Sequence, residues 1–173
     1  MKYLYGTSID SPFGRIVLQG TRTHIQFLKF DDRGENLAGF EKPDWLEEAE
    51  LQLQQYFSAK RSVFDLPIDP QGTEFQKRVW QALSDIDYGS FASYQQLALA
   101  IGNAKSVRAV ASANARNPIW LIIPCHRIIG SDLALRGYAG GIVRKAQLLM
   151  LEGFAVGCDN VQLANEKTKL VLS

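Results

Sequence analysis

The chain has 173 residues and a net charge of +1, from 19 basic and 18 acidic side chains. With 46% hydrophobic residues it can bury a sizeable core, and 14 glycines and 6 prolines are too few for a low-complexity or collagen-like chain. A charge so near zero argues against a nucleic-acid binder, whose domain is as a rule clearly basic. The total hides an asymmetry, however: residues 74–150 hold nine basic groups against four acidic, a balance of +5, while residues 1–73 hold eight against eleven, a balance of −3. The two cysteines, Cys125 and Cys158, allow one disulfide at most and cannot build a Cys-rich zinc site. No basic stretch followed by an apolar run opens the chain, and the apolar run 119–124 is far too short to span a bilayer. The expectation is a soluble protein in a reducing, cytoplasmic setting, with no membrane partner.

Taken in order, residues 3–9, 15–19 and 24–30 are short runs rich in aromatic and β-branched residues, which predicts strands. Ser11-Pro12-Phe13-Gly14 and Gly20-Thr21-Arg22-Thr23 separate them with turn chemistry, so the strands form an antiparallel meander. Residues 31–40 are polar and read as a loop. Residues 43–57 predict a helix, with Pro43 in its first turn and Leu46, Ala49, Leu53, Tyr56 and Phe57 on one face. Residues 58–72 lose periodicity, hold Pro67 and Pro70, and read as a linker.

Two capping boxes follow. Thr73 with Gln76 precedes the stripe Phe75, Val79, Trp80, Leu83, and Ser93 with Gln96 precedes Leu97, Leu99 and Ile101. Gly102-Asn103 ends the second of these helices, and an Ala-rich helix resumes over 106–115. Helix, short turn and helix make a helix-turn-helix pattern, which many plain helical hairpins share. Residues 142–152 predict a last helix with the stripe Ile142, Ala146, Leu149, Met150 and with Gly153 just past its end. The expected fold class is α/β of the α+β kind. A small antiparallel β-sheet with a helix fills the N-terminal domain, 1–71. A mostly helical domain with the helix-turn-helix fills 72–153, and 154–173 is a tail with little periodicity.

The chemistry centres on Pro124-Cys125-His126-Arg127. A thiol with an ordinary pKa near ~8.5 is mostly protonated at neutral pH, and a neighbouring base raises its thiolate fraction. In an extended chain adjacent side chains point to opposite faces. Direct pairing of Cys125 with His126 therefore needs a bridging water or a turn directly after Cys125. An isolated cysteine in an apolar run is otherwise an inert core residue.

Asn117-Pro118 followed by Ile123-Pro124-Cys125-His126-Arg127-Ile128-Ile129-Gly130 resembles the active-site motif of the O6-alkylguanine-DNA alkyltransferases, the methylated-DNA–protein-cysteine methyltransferases. The resemblance runs over about residues 72–153, through Gly137-Tyr138-Ala139-Gly140-Gly141 and Leu151-Glu152-Gly153. It implies a single-use DNA repair protein that takes an alkyl group from guanine O6 in double-stranded DNA, acting as a monomer with no cofactor and no metal.

The roles it implies are these. Cys125 is the nucleophile, His126 its base through a water, and Glu152 the acid that orients His126. Asn117 ties the helix-turn-helix to the active-site loop. Tyr138, the N–H of Ala139 and the carbonyls of Cys125 and Ile128 hold the extruded base. Tyr94 rotates a phosphate and Arg108 fills the gap in the stack. Ala109, Ser112 and Ala113 allow close approach to a minor-groove floor, and Lys105, Arg116 and Ser131 contact phosphates. Three positions depart from the pattern: Ala104 where Pro is common, Leu133 where Gly is frequent, and a large Trp120 that could pack inside, narrow the alkyl pocket or face solvent. The metal site of some relatives pairs Cys with His, and His24 stands alone.

Overall fold

A computed structural model describes residues 5–37, 40–157 and the backbone of 161–162. It divides into two compact units, Met1–Gln71 with Pro118–Trp120, and Gly72–Asn117 with Leu121–Ser173.

In the first unit β1 (Tyr5–Ser11), β2 (Gly14–Gly20) and β3 (Ile25–Phe30) form an antiparallel meander in the order β1-β2-β3. Ile16, Leu18, Ile25 and Leu28 are buried, as are Ala49, Leu53 and Tyr56 of α1 (Leu46–Phe57). The helix starts three residues later than the sequence predicts. The residues before it are held by the turn between β2 and β3: Asp44 N–H donates to the Arg22 carbonyl at 3.0 Å, and the Trp45 indole N–H donates to the Thr21 carbonyl at 3.1 Å. Pro43 therefore lies outside the helix.

Residues 58–72, expected as a bare linker, are partly built into this unit. Ile25 N–H donates to the Pro67 carbonyl at 2.8 Å, and Asp69 N–H returns to the Ile25 carbonyl at 2.9 Å. Gln52, buried on α1, grips the backbone N–H and carbonyl of Asp65, both at 2.8 Å. Single bridges of this kind leave no periodic trace in the sequence. A second strip, Pro118–Trp120, also pairs with β3: Leu28 N–H donates to the Pro118 carbonyl at 2.9 Å and Trp120 N–H to the Leu28 carbonyl at 2.8 Å. Both strips satisfy backbone groups that an open edge would leave exposed. Of its three options Trp120 takes the interior: it is 5% exposed, its ring centroid is 6.2 Å from that of Phe30, and the Lys29 ammonium lies 5.3 Å from its centroid.

The second unit runs α2 (Glu74–Ser84), β4 (Ala92–Ser93), α3 (Tyr94–Ala100), a 3-10 turn (Ala104–Ser106), α4 (Val107–Ala115), a 3-10 turn (Cys125–Arg127), β5 (Ile128–Ile129), α5 (Ile142–Leu151), β6 (Ala155–Val156) and β7 (Val161–Gln162). Both capping boxes form, with Thr73 and Ser93 accepting from the N–H of Gln76 and Gln96 and each glutamine side chain reaching back. α2 packs on the hairpin of α3 and α4 through Val79, Trp80, Leu83, Leu97 and Val110, and the Trp80 indole donates to the Ala113 carbonyl at 2.9 Å. β4 and β5 pair in parallel, Ala92 with Ile128 and Ser93 with Ile129. This two-residue ladder holds the segment after Cys125 beside the start of α3.

The end of α5 is a Schellman motif. Gly153 takes φ 96°. Its N–H donates to the Met150 carbonyl and the Phe154 N–H to the Leu149 carbonyl, both at 3.0 Å. Phe154 then packs with Leu149, Phe91 and Ile129 in a buried cluster. The buried face of α5 differs from the expected stripe. Lys145, Leu148 and Leu149 are buried, whereas Ile142 is 42% and Met150 57% exposed. A polar residue on the inner face misdirects a reading that follows hydrophobicity alone. Of the tail, β6 pairs antiparallel with β7. Residues 158–160, including Cys158, and 163–173 lie outside the described residues.

The two caps give a stability test. Thr73→Ala and Ser93→Ala should each lower unfolding free energy by about 1 kcal/mol. Because they cap separate helices, the double variant should lose close to the sum, measured by urea denaturation.

Candidate active site

Cys125 does not lie in extended chain. The 3-10 turn starts at it, with Arg127 N–H donating to the Pro124 carbonyl at 3.0 Å and Cys125 N–H to the Ile123 carbonyl at 2.8 Å. The chain thus turns directly at Cys125 instead of running on extended. The thiol is 3% exposed, His126 is fully buried and Arg127 is 6% exposed.

Glu152 receives this turn. It occupies the cap position of α5, where the Schellman motif directs it inward. His126 Nε2 lies 2.8 Å from its Oε1, Arg127 Nε donates to Oε2 at 2.9 Å and an Arg127 terminal nitrogen to Oε1 at 3.0 Å. Gly89 N–H reaches Oε2 at 3.4 Å. The other Arg127 terminal nitrogen donates to the Ile86 carbonyl at 2.5 Å, and the guanidinium lies 5.9 Å from the Tyr88 ring centroid. The Tyr88 hydroxyl donates to the Leu151 carbonyl at 2.8 Å.

The charges follow from this arrangement. Burial alone would raise the Glu152 carboxyl, but His126 and the Arg127 guanidinium outweigh it and hold the pKa at about 2. An ionised carboxylate only accepts, so His126 Nε2 carries the proton and Nδ1 is left with its lone pair. Burial lowers the His126 pKa more than Glu152 raises it, with Arg127 and Lys145 also lowering it, so the imidazole is neutral at neutral pH. A neutral ring with a bare Nδ1, one residue from a thiol, is equipped to take a proton.

Asn117 Nδ2 donates to the Ile123 carbonyl at 2.8 Å, the same carbonyl that accepts from Cys125 N–H. One oxygen thus joins the end of α4 to the thiol's backbone. Tyr138 is 8% exposed, and its hydroxyl pKa is pushed well up, first by burial and then by the field of Cys125. Tyr94 is raised by the same two causes, and its hydroxyl donates to the Gly137 carbonyl at 3.4 Å.

Lys145 escaped the sequence reading. It is fully buried, its ammonium donates to the Ile128 and Arg136 carbonyls, and burial lowers its pKa to about 8. It ties β5 to the chain entering Tyr138. Its signal was its spacing of seven from Glu152, which puts the two on one helical face. One lone pair of the Ile128 carbonyl is therefore engaged by Lys145.

The residues expected to meet DNA divide by exposure. Lys105, Arg108, Ala109, Arg116, Ser131 and Ala139 are exposed. Arg116 donates to Ser112 Oγ. Ala113 is the exception, at 2% exposure on the inner side of α4 with its carbonyl bound by Trp80. It offers no surface to a groove. Leu133 is 38% exposed at φ 62°, a left-handed conformation that glycine adopts more readily. Among the described residues no group of three or more His, Cys, Asp and Glu stands together as a metal site.

The lowered Glu152 pKa carries a pH test. Its contribution to stability is complete above its ordinary value of 4.5 and is lost as pH falls through about 2. Urea denaturation across this window should show the wild-type chain losing on the order of 3 kcal/mol more than Glu152→Gln. Parallel curves for the two proteins would refute the assignment.

Comparison with known proteins places this geometry. Residues 74–154 match the model of the 6-O-methylguanine DNA methyltransferase DNA binding domain, and residues 4–70 that of the family's ribonuclease-like domain. A methylated-DNA–protein-cysteine methyltransferase of Methanosarcina barkeri is 48% identical, over 86% of this chain and 97% of its own. The constitutive enzyme of Bacillus subtilis is 42% identical, over 86% and 94%. The crystal structure of Mycobacterium tuberculosis OGT in complex with DNA aligns with a TM-score of 0.79 at 41% identity, over 86% of this chain and 92% of that one. The chain belongs to the 6-O-methylguanine DNA methyltransferase family.

Proposed function

We propose that this protein repairs double-stranded DNA by transferring an alkyl group from guanine O6 to Sγ of its own Cys125. The observation that carries the reading is the buried contact of His126 Nε2 with Glu152 Oε1 at 2.8 Å, one residue from the buried Cys125 thiol. It supplies a base whose open nitrogen is Nδ1.

The Cys125 thiol gives its proton through a water to His126 Nδ1. Glu152 stabilises the resulting imidazolium. The thiolate then displaces O6 from the alkyl carbon, forming C–S as C–O breaks, with the electron pair leaving on the guanine. A guanine anion leaves poorly, so donors where charge develops lower the barrier. Tyr138, kept protonated by burial, and the Ala139 N–H fill that role, while the carbonyls of Cys125 and Ile128 accept from the exocyclic amine. The product is a thioether, so each molecule acts once.

Inside a duplex the O6 alkyl carbon is out of reach of in-line attack, and the nucleotide must be extruded at a cost of a few kcal/mol. Residues 72–153 form the domain for this. Arg108 enters the stack, Tyr94 presses the phosphate, and Ala109 lets α4 approach the minor groove, whose degenerate code suits a protein that must find a lesion in any sequence. Lys105, Arg116 and Ser131 hold phosphates. Asn117 keeps α4 and the Cys125 turn in register. A monomer in the cytoplasm fits this reading, because a nucleophilic thiol needs a reducing compartment. Among the described residues no helix is long and apolar enough to cross a membrane.

The test is incubation with a duplex carrying O6-methylguanine, followed by peptide mass spectrometry. One methyl group per chain should appear on Cys125, and Cys125→Ser should abolish transfer while still binding the duplex. Tight lesion binding with Cys125 unmodified would instead mark a protein that only flags damage. Lys105→Ala and Arg116→Ala should each weaken binding at all sequences and reduce the salt dependence of affinity by roughly one phosphate contact.

A further inference from the structure

Asn114 is an amide in the last turn of α4, 3% exposed, and its Oδ1 has no hydrogen-bond partner among the described residues. His126 Nδ1 is likewise buried without one. Buried polar side-chain atoms almost always find partners, and an orphaned buried acceptor is a place where an ordered water completes the hydrogen bonding. The two elements are joined. Asn117 N–H donates to the Asn114 carbonyl at 3.2 Å, Asn117 Nδ2 donates to the Ile123 carbonyl at 2.8 Å, and Cys125 N–H donates to that same carbonyl. Asn114 and Asn117, three apart and both buried, share the inner side of the helix end that this oxygen ties to the Cys125 turn.

We infer that Asn114 is a positioning residue for the proton relay: its Oδ1 accepts one hydrogen of the water that passes the Cys125 proton to His126. The inference rests on the relay proposed above. Such a water accepts from the thiol S–H and has two hydrogens to place. With one fixed on Asn114 Oδ1, the other is directed at His126 Nδ1. On transfer the S–H proton moves to the water and the water's directed proton moves to Nδ1, so the water is regenerated and Asn114 is unchanged. Glu152, Arg127 and Lys145 are the charged groups whose fields reach His126, and none of them is altered by replacing Asn114.

The experiment is single-turnover transfer from an O6-methylguanine duplex to Cys125, followed against pH for wild type, Asn114→Leu and Asn114→Asp. Lesion affinity is measured in parallel in a Cys125→Ser background. Removing one hydrogen bond of ordinary strength should make Asn114→Leu about tenfold slower at the pH plateau. Asn114→Asp, which keeps an oxygen acceptor, should stay within about threefold of wild type at that plateau. Lesion affinity should not change. If the leucine variant fails to fold, Asn114→Ala replaces it with the same expectation. A leucine or alanine variant as fast as wild type overturns the inference. Equal slowing in the leucine and aspartate variants, or a loss confined to lesion affinity, also overturns it, the last by placing the amide on the base instead of the water. In each of these outcomes transfer by the wild-type chain still stands. Wild type that fails to methylate Cys125 at any pH refutes the relay itself.

Discussion

The structure of the site depends on one buried carboxylate. Glu152 is taken out of water at the end of α5, and a lone carboxylate there would be neutralised by its surroundings. It stays charged because Arg127 grips both of its oxygens and His126 donates to one. Removing one partner from such a cluster leaves an uncompensated charge, a loss of about 3–5 kcal/mol in comparable cases. The carboxylate therefore constrains the fold and the chemistry together. It can accept only, which fixes the His126 tautomer, and the tautomer decides which ring nitrogen keeps its lone pair.

Much of the second unit works to keep that carboxylate in place. The Schellman motif aims it inward, and the buried cluster of Phe154, Leu149, Phe91 and Ile129 holds the motif. Tyr88 binds the Leu151 carbonyl and lies beside the Arg127 guanidinium. The β4–β5 ladder and the Asn117 bond then set the Cys125 turn against the start of α3 and the end of α4. Geometry at the thiol is thus inherited from helix ends and short backbone contacts.

The strands, the two capping boxes and the helix-turn-helix were legible from local pattern, because turn residues and cap residues act over three or four positions. The motif around Cys125 and the pairing of Glu152 with His126 were legible only through resemblance, since 26 residues separate the two and no periodicity joins them. What stayed hidden was nonlocal or polar. The strips at 67–69 and 118–120 pair with β3 through isolated bridges, and Lys145 is an inward-facing cation on a helix whose outer face carries Ile142 and Met150. Ala113 looked suited to a groove by its size, but the Trp80 contact turns it to the core. The charge division of the chain proved the more useful part of its near-neutral total, because the +5 segment holds both the exposed cations Lys105, Arg108 and Arg116 and the thiol.

The central claim is that Glu152 fixes His126 as a neutral base with its lone pair on Nδ1. Nitrogen-15 NMR of the imidazole, followed through a pH titration, tests it most directly. The account predicts a ring protonated at Nε2 and bare at Nδ1 at neutral pH, with the midpoint of Nδ1 protonation below the ordinary histidine value of 6.5. A ring protonated at Nδ1, or an imidazolium already present at neutral pH, would contradict it.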